Sequence, residues 1–179
     1  MTLKAHSPRE LNLFIATRSC VCGGETEMAV QGIFVVNGSL EERRLVKCRK
    51  CGKKVVFSFR VTAGADTPWK AVNPTAEPSE LLDVTQWAIY VYYYMEQFAA
   101  ADRRHDEPKQ YEALSEISKG LHEILKFYPD GEADPPSAAL FSENSRRRYD
   151  ALRPWFRREN LERILRTVEH DLARHGALS

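Results

Sequence analysis

A chain of 179 residues that is 43% hydrophobic and 28% charged can bury the core of one ordinary domain, or of a small module joined to a larger one. Its composition argues against export and membrane insertion. The start "MTLKAHSPRE" lacks the basic, apolar and small-residue succession of a signal peptide, and the densest apolar run, "WAIYVYYYM", is about half of the ~20 residues a bilayer span requires. A cytoplasmic protein is the expectation. The formal net charge of +1 conceals segments of opposite sign. Residues 1–70 carry 12 Lys/Arg against 6 Asp/Glu, residues 71–141 carry 5 against 13, and residues 142–179 carry 9 against 6. Such asymmetry bears on partners, although a basic module and an acidic one in the same chain can also attract each other.

In chain order, "SPRELNLFIATR" (7–18) predicts a short helix. Ser7 can cap it, Pro8 suits its first turn, and Leu11, Phe14 and Ile15 would face inward. Cys20 and Cys22 follow. "TEMAVQGIFVV" (26–36) reads as a strand ending in Asn37-Gly38, a strong two-residue hairpin signal. "RRLVK" (43–47) is a second strand that runs into Cys48 and Cys51. "KVVFSFRV" (54–61) alternates as a third, with Val55, Phe57, Phe59 and Val61 on one face. Each cysteine pair therefore stands in a turn at the base of a strand, and a hairpin between the pairs can bring the turns together.

All four cysteines lie in these two pairs, so nothing remains for a disulfide framework. Four thiolates at tetrahedral corners are what a structural zinc ion requires. Gly52, directly after Cys51, supplies the positive-φ freedom that such a turn uses, and Gly23 after Cys22 matches it. Other readings of the thiols exist. A Cys20–Cys22 disulfide would close a small, strained ring. A redox Cys48-x-x-Cys51 would be expected to open a helix, whereas here a strand follows. Iron in a rubredoxin-like site uses nearly the same ligands, and plain buried thiols need no metal. The residues Cys20-Val21-Cys22-Gly23 and Cys48-Arg49-Lys50-Cys51-Gly52, with three strands between and after them, resemble the zinc ribbon family over residues 18–62, about a third of the chain. The second pair follows the family's C-x-x-C-G pattern, and the first is one residue shorter. The resemblance implies one structural Zn²⁺ per chain held by Cys20, Cys22, Cys48 and Cys51. No histidine is placed to replace a cysteine: His6 lies on the far side of the predicted helix and His105 is remote.

"GADTPWKAVNPTAEP" (64–78) holds three prolines and reads as a linker. Helices follow. "PSELLDVTQWAIYVYYYMEQFAAADRR" (78–104) places Leu81, Val84, Ala88, Val91, Met95 and Phe98 near one stripe, with Leu82, Ile89 and Tyr93 beside it, so a central helix is expected. Its Trp87, Tyr90, Tyr92, Tyr93 and Tyr94 could stack on bases, but aromatics at helical spacing belong first to a core. "EPKQYEALSEISKGLHEILKFYPD" (107–130) is amphipathic through Tyr111, Leu114, Ile117, Leu121, Ile124 and Leu125. Within this pair of helices, "EISKGLHEILKFYPD" is similar to a tetratricopeptide-type hairpin, though no repeat accompanies it. Residues 142–153 and 157–176 give two more helices around Pro154. The fold class is thus α+β. A three-stranded antiparallel zinc ribbon with its N-terminal helix (1–63) leads through a linker (64–78) to an all-α domain of about four helices (79–179).

No catalytic constellation is present: there is no G-x-S-x-G, phosphate loop or H-E-x-x-H, and every cysteine is claimed by the metal site. His170 and His175, five apart, do not share a helix face. A non-enzymatic protein is expected. One reading is a regulator or inhibitor of the immunity or antitoxin kind that binds a protein partner, a basic one being met through electrostatic steering. The other is a nucleic-acid-binding ribbon of the transcription or translation type that uses Arg43, Arg44, Lys47, Arg49, Lys50, Lys53 and Lys54. Those cations have a simpler use as well, since a four-thiolate zinc centre carries a net charge of about −2 for them to offset.

Overall fold

The computed structural model describes residues 2–18, 20–36, 39–61, 73 and 75–176. The chain divides into two compact units, Met1–Leu82 and Asp83–Ser179.

In the first unit, β2 (Thr26–Val36), β3 (Ser39–Cys48) and β4 (Lys54–Val61) form the expected antiparallel ribbon. A further strand, β1 (Thr2–Ala5), pairs parallel to β4, so the sheet has four strands in the order β1-β4-β3-β2. The three-strand expectation missed β1 because "TLKA" is too short to display a period. Val36 pairs with Ser39, and the hairpin signal Asn37-Gly38 falls outside the described residues. The helix α1 (Pro8–Ala16) starts as its sequence dictates. Ser7 Oγ accepts from the Glu10 N–H at 3.0 Å, and the Glu10 carboxylate accepts from the His6 N–H at 2.5 Å. Leu11, Phe14 and Ile15 are buried, and the Phe14 ring meets Phe57 and Phe59 edge-on, with centroids 5.5 and 5.6 Å away. With Ala5, Val46, Leu81 and Leu82 these make a small apolar core among the described residues of the unit, of the size that a staple helps. The linker expected over 64–78 lies largely outside the described residues. Its described end stays with the sheet: Lys4 Nζ bonds Glu77 at 3.5 Å and Glu80 at 2.9 Å.

The second unit holds α2 (Val84–Asp102), α3 (Glu107–Leu125), α4 (Glu143–Ala151) and α5 (Arg158–Gly176), with a 3-10 turn at Ser137–Ala139. α2 begins six residues later than the pattern suggested. Ser79 Oγ accepts from the N–H groups of Leu81 and Leu82 in a separate turn, and Asp83 then caps the helix through Thr85 and Gln86. α3 stops at Leu125, short of the expected 130, because Pro129 disfavours helix in the residue before it. Where α3 packs on α2, Gly120 is required: a Cβ there would stand 2.6 Å from Val91 Cγ2 and 2.9 Å from Tyr90 Cδ1. Leu161, Leu165 and Val168 form the buried stripe of α5. α2 is less central than its composition implied. Trp87 and Tyr90 are buried and Tyr92 stacks on Trp155 at 5.1 Å, but Ile89, Tyr92 and Tyr93 are exposed.

Candidate metal centre

β2 and β3 position the cysteines. Thr26 pairs with Cys48 in the sheet, and the Arg49 N–H donates to the Glu25 carbonyl at 2.9 Å, so the turn holding Cys20 and Cys22 is laid beside the one holding Cys48 and Cys51. The four Sγ atoms all lie within 4.8 Å of one another. Across the two turns, Cys20 Sγ is 3.6 Å from Cys51 Sγ and Cys22 Sγ is 3.5 Å from Cys48 Sγ. Four bonds of about 2.3 Å to tetrahedral corners separate sulfurs by about 3.8 Å, so the donor set fits a metal ion. A disulfide bond would bring two sulfurs to about 2.05 Å, and all four cysteines are free. Every expected ligand is gathered at this point, and His6 and His105 are not.

The metal-free thiols are electrostatically mismatched. Cys48 is lowered to about 6, chiefly by the backbone N–H of Cys51, which lies 3.5 Å from its sulfur, with help from the Lys50 N–H. Cys22 also receives a backbone N–H, from Gly24, which favours its thiolate. The sulfurs of Cys51 and Cys48, burial and the sulfur of Cys20 together outweigh that donor and raise it to about 12. Sulfurs this close cannot all ionise alone, and a cation at their centre resolves the conflict.

Gly23 and Gly52 both adopt φ +73° with open space at the Cβ position. Gly24 was not singled out by the sequence reading. A Cβ on it would lie 2.6 Å from Lys50 Cβ, 2.8 Å from Cys48 Sγ and 3.3 Å from Cys22 Sγ, so its backbone forms a wall of the site. The tandem Gly23-Gly24 after a shortened cysteine pair was the available signal.

The seven basic residues do not act alike. Arg44 is buried and engaged by Glu42 at 2.6 Å and by Asn12 Oδ1. Arg43 lies over the Phe34 ring at 5.0 Å and 3.9 Å from Glu41. Arg49 pairs with Glu27 at 2.9 Å and Glu25 at 3.6 Å. Lys47, Lys50, Lys53 and Lys54 are exposed. No family model, curated protein or solved structure matches this chain. What stands on its own geometry is a cluster of four cysteines that could hold a metal ion, compatible with a zinc ribbon. Among the described residues, no helix is long and apolar enough to cross a membrane.

Proposed function

We propose that the chain is a non-enzymatic zinc protein that acts by binding a protein partner, as a regulator or inhibitor of the immunity or antitoxin kind. Cys20, Cys22, Cys48 and Cys51 would hold one Zn²⁺. Four thiolates complete its coordination, so the ion supplies folding energy rather than an open position for substrate. The observation that carries the partner is a set of carboxylates. Glu96, Asp102, Glu107, Glu112, Asp130 and Glu132, on α2, α3 and the loop after α3, are exposed and make no ion pair among the described residues. Exposed Tyr92, Tyr93 and Tyr111 belong to the same two helices. Unpaired acidic groups with interspersed tyrosines suit a basic protein surface, which they would attract at long range and grip at short range.

A second reading has one observation in its favour: Lys47, Lys50, Lys53 and Lys54 are exposed around the second cysteine turn, and none makes an ion pair among the described residues. A nucleic-acid-binding ribbon would use them on phosphates. The two readings separate cleanly by experiment. Partner protein recovered on immobilised wild type should be lost with Glu107→Lys/Glu112→Lys and kept with Arg49→Ala/Lys50→Ala/Lys53→Ala/Lys54→Ala. Salt-sensitive, submicromolar retention of RNA or DNA that the quadruple variant abolishes would overturn the proposal in favour of the second reading.

A further inference from the structure

The sheet has two edges of different character. β1 is four residues long and carries Lys4, the kind of short, charged edge that resists adding another strand. β2 is the opposite: eleven residues with no Lys, Arg, Asp or Glu from Met28 to Val36 and no proline. Its single irregularity is a register shift between Met28 and Val30, which leaves Val30–Val36 regular against β3. Apolar side chains stand exposed along it, with Met28 at 49%, Val30 at 59%, Ile33 at 70%, Phe34 at 45% and Val35 at 73%. Ile33 and Val35 project from one face of the sheet, Val30 and Phe34 from the other. Among the described residues no strand pairs with the outer side of β2, and an edge that is apolar on both faces is an unfinished sheet.

We infer that β2 is a self-pairing edge, and that two copies of this chain join by antiparallel β2–β2 addition into one sheet of eight strands. The hydrogen-bonding edge calls for a strand, and the absence of charge over nine positions favours an equally uncharged one, because a charged strand would bury its charge against these side chains. β2 itself meets that requirement. A twofold axis through Gly32 sets Phe34 of each copy opposite Val30 of the other, within the regular stretch of the strand, an aromatic–β-branched pair of the kind that stabilises antiparallel ladders. The five exposed side chains offer on the order of 500 Å² per copy before the backbone is counted, close to the roughly 600 Å² per partner at the low end of specific interfaces. None of the acidic residues proposed to meet the partner belongs to β2, so different variants test the dimer and the partner.

Sedimentation of the full-length, metal-loaded chain between about 1 and 100 µM should show a dimer that dissociates on dilution. Ile33→Lys/Val35→Lys places four like charges near the axis and should raise the dissociation constant at least ~100-fold, with metal content and far-ultraviolet circular dichroism unchanged. Tyr93→Lys, an equally exposed site on α2, should leave it unaltered. Hydrogen exchange on the wild type gives a readout that needs no variant: the outward amides of residues 30–36 should exchange more slowly at high concentration than at low. A monomer throughout the range, a double variant that stays dimeric, or exchange over 30–36 that ignores concentration would each overturn the inference.

Discussion

The two cysteine turns close on the four-sulfur cluster in the same manner with loops of different length. In the second, the Cys48 N–H donates to the Lys53 carbonyl five residues on at 2.9 Å, and the Gly52 N–H returns to the Cys48 carbonyl at 3.0 Å. In the first, the Cys20 N–H donates to the Gly24 carbonyl four residues on at 3.0 Å, and the Gly23 N–H returns to the Cys20 carbonyl at 2.8 Å. Each is a miniature hairpin whose last corner is a glycine at φ +73°. The residue missing from the first is taken out of the turn and not out of the strand register, so Thr26 still faces Cys48 and the sulfurs still converge. The shortening shows at one place. Lys53 and Gly24 occupy equivalent positions, yet Lys53 is exposed while Gly24 has its backbone drawn onto the sulfurs.

The largest effect should come from removing a ligand. Cys48 is buried, and its thiolate is the one best supplied with backbone donors. Cys48→Ser should leave purified protein with far less than one metal per chain and melt the sheet unit, whose small apolar core cannot hold four strands without the metal's contribution, about 10–16 kcal/mol in structural zinc sites. The helical unit, with Trp87, Leu121, Ile124, Phe156 and Leu161 fully buried, should keep most of its helical circular dichroism. Loss of both signals together in metal-free protein would show a single cooperative core instead.

Next in size is Gly24→Ala. The new methyl would stand 2.8 Å from Cys48 Sγ and 2.6 Å from Lys50 Cβ, so the first turn must retreat from the second. Metal affinity measured against a chelator should fall about 10- to 100-fold, the scale seen when groups supporting a ligand are disturbed. An equal loss in Lys53→Ala would mean that the two positions are not specialised.

Much of this was readable from residue types. The convergence of the four cysteines, the three ribbon strands and the two positive-φ glycines follow from local chemistry: thiols in pairs, alternation of Val and Phe, and glycine at the turn corner. What was not readable depends on residues distant in sequence. β1 has too few residues for a pattern and exists because β4 offers it an edge. Gly24 looks like turn punctuation until Lys50 and Cys48 are brought against it. The start of α2 moved because two competing caps, Ser79 and Asp83, stand four residues apart and both are used. The basic cluster split in the same way, since only the sheet register reveals that Arg44 is internal and Arg49 faces Glu27.

The mismatch between thiols should also set the pH response. Cys22, raised to about 12, keeps its proton throughout the physiological range, so a metal entering the site must displace it. Affinity therefore rises with pH and is lost as pH falls, by about tenfold per unit from this thiol alone. Cys48, lowered to about 6, is already thiolate at pH 7 and adds no slope there, but below pH 6 it binds a proton too and the dependence steepens. Chelator competition between pH 5 and 8 measures this, and an affinity flat across pH 7–8 would contradict the Cys22 assignment.

The smallest effect is the most exacting test of the two turns. Gly23→Ala and Gly52→Ala each force an L side chain into the left-handed region, which costs about 1–2 kcal/mol, and neither Cβ meets an atom within 4 Å. If the turns close alike, the two variants should lower the urea midpoint of the metal-loaded sheet unit by similar amounts. Asparagine, which tolerates this conformation better, should recover part of the loss at both. The shorter turn has one residue fewer over which to spread the strain. A Gly23→Ala cost several times that of Gly52→Ala would therefore show that the first turn is held shut against its own backbone, with the metal, rather than the two hydrogen bonds across it, keeping it closed.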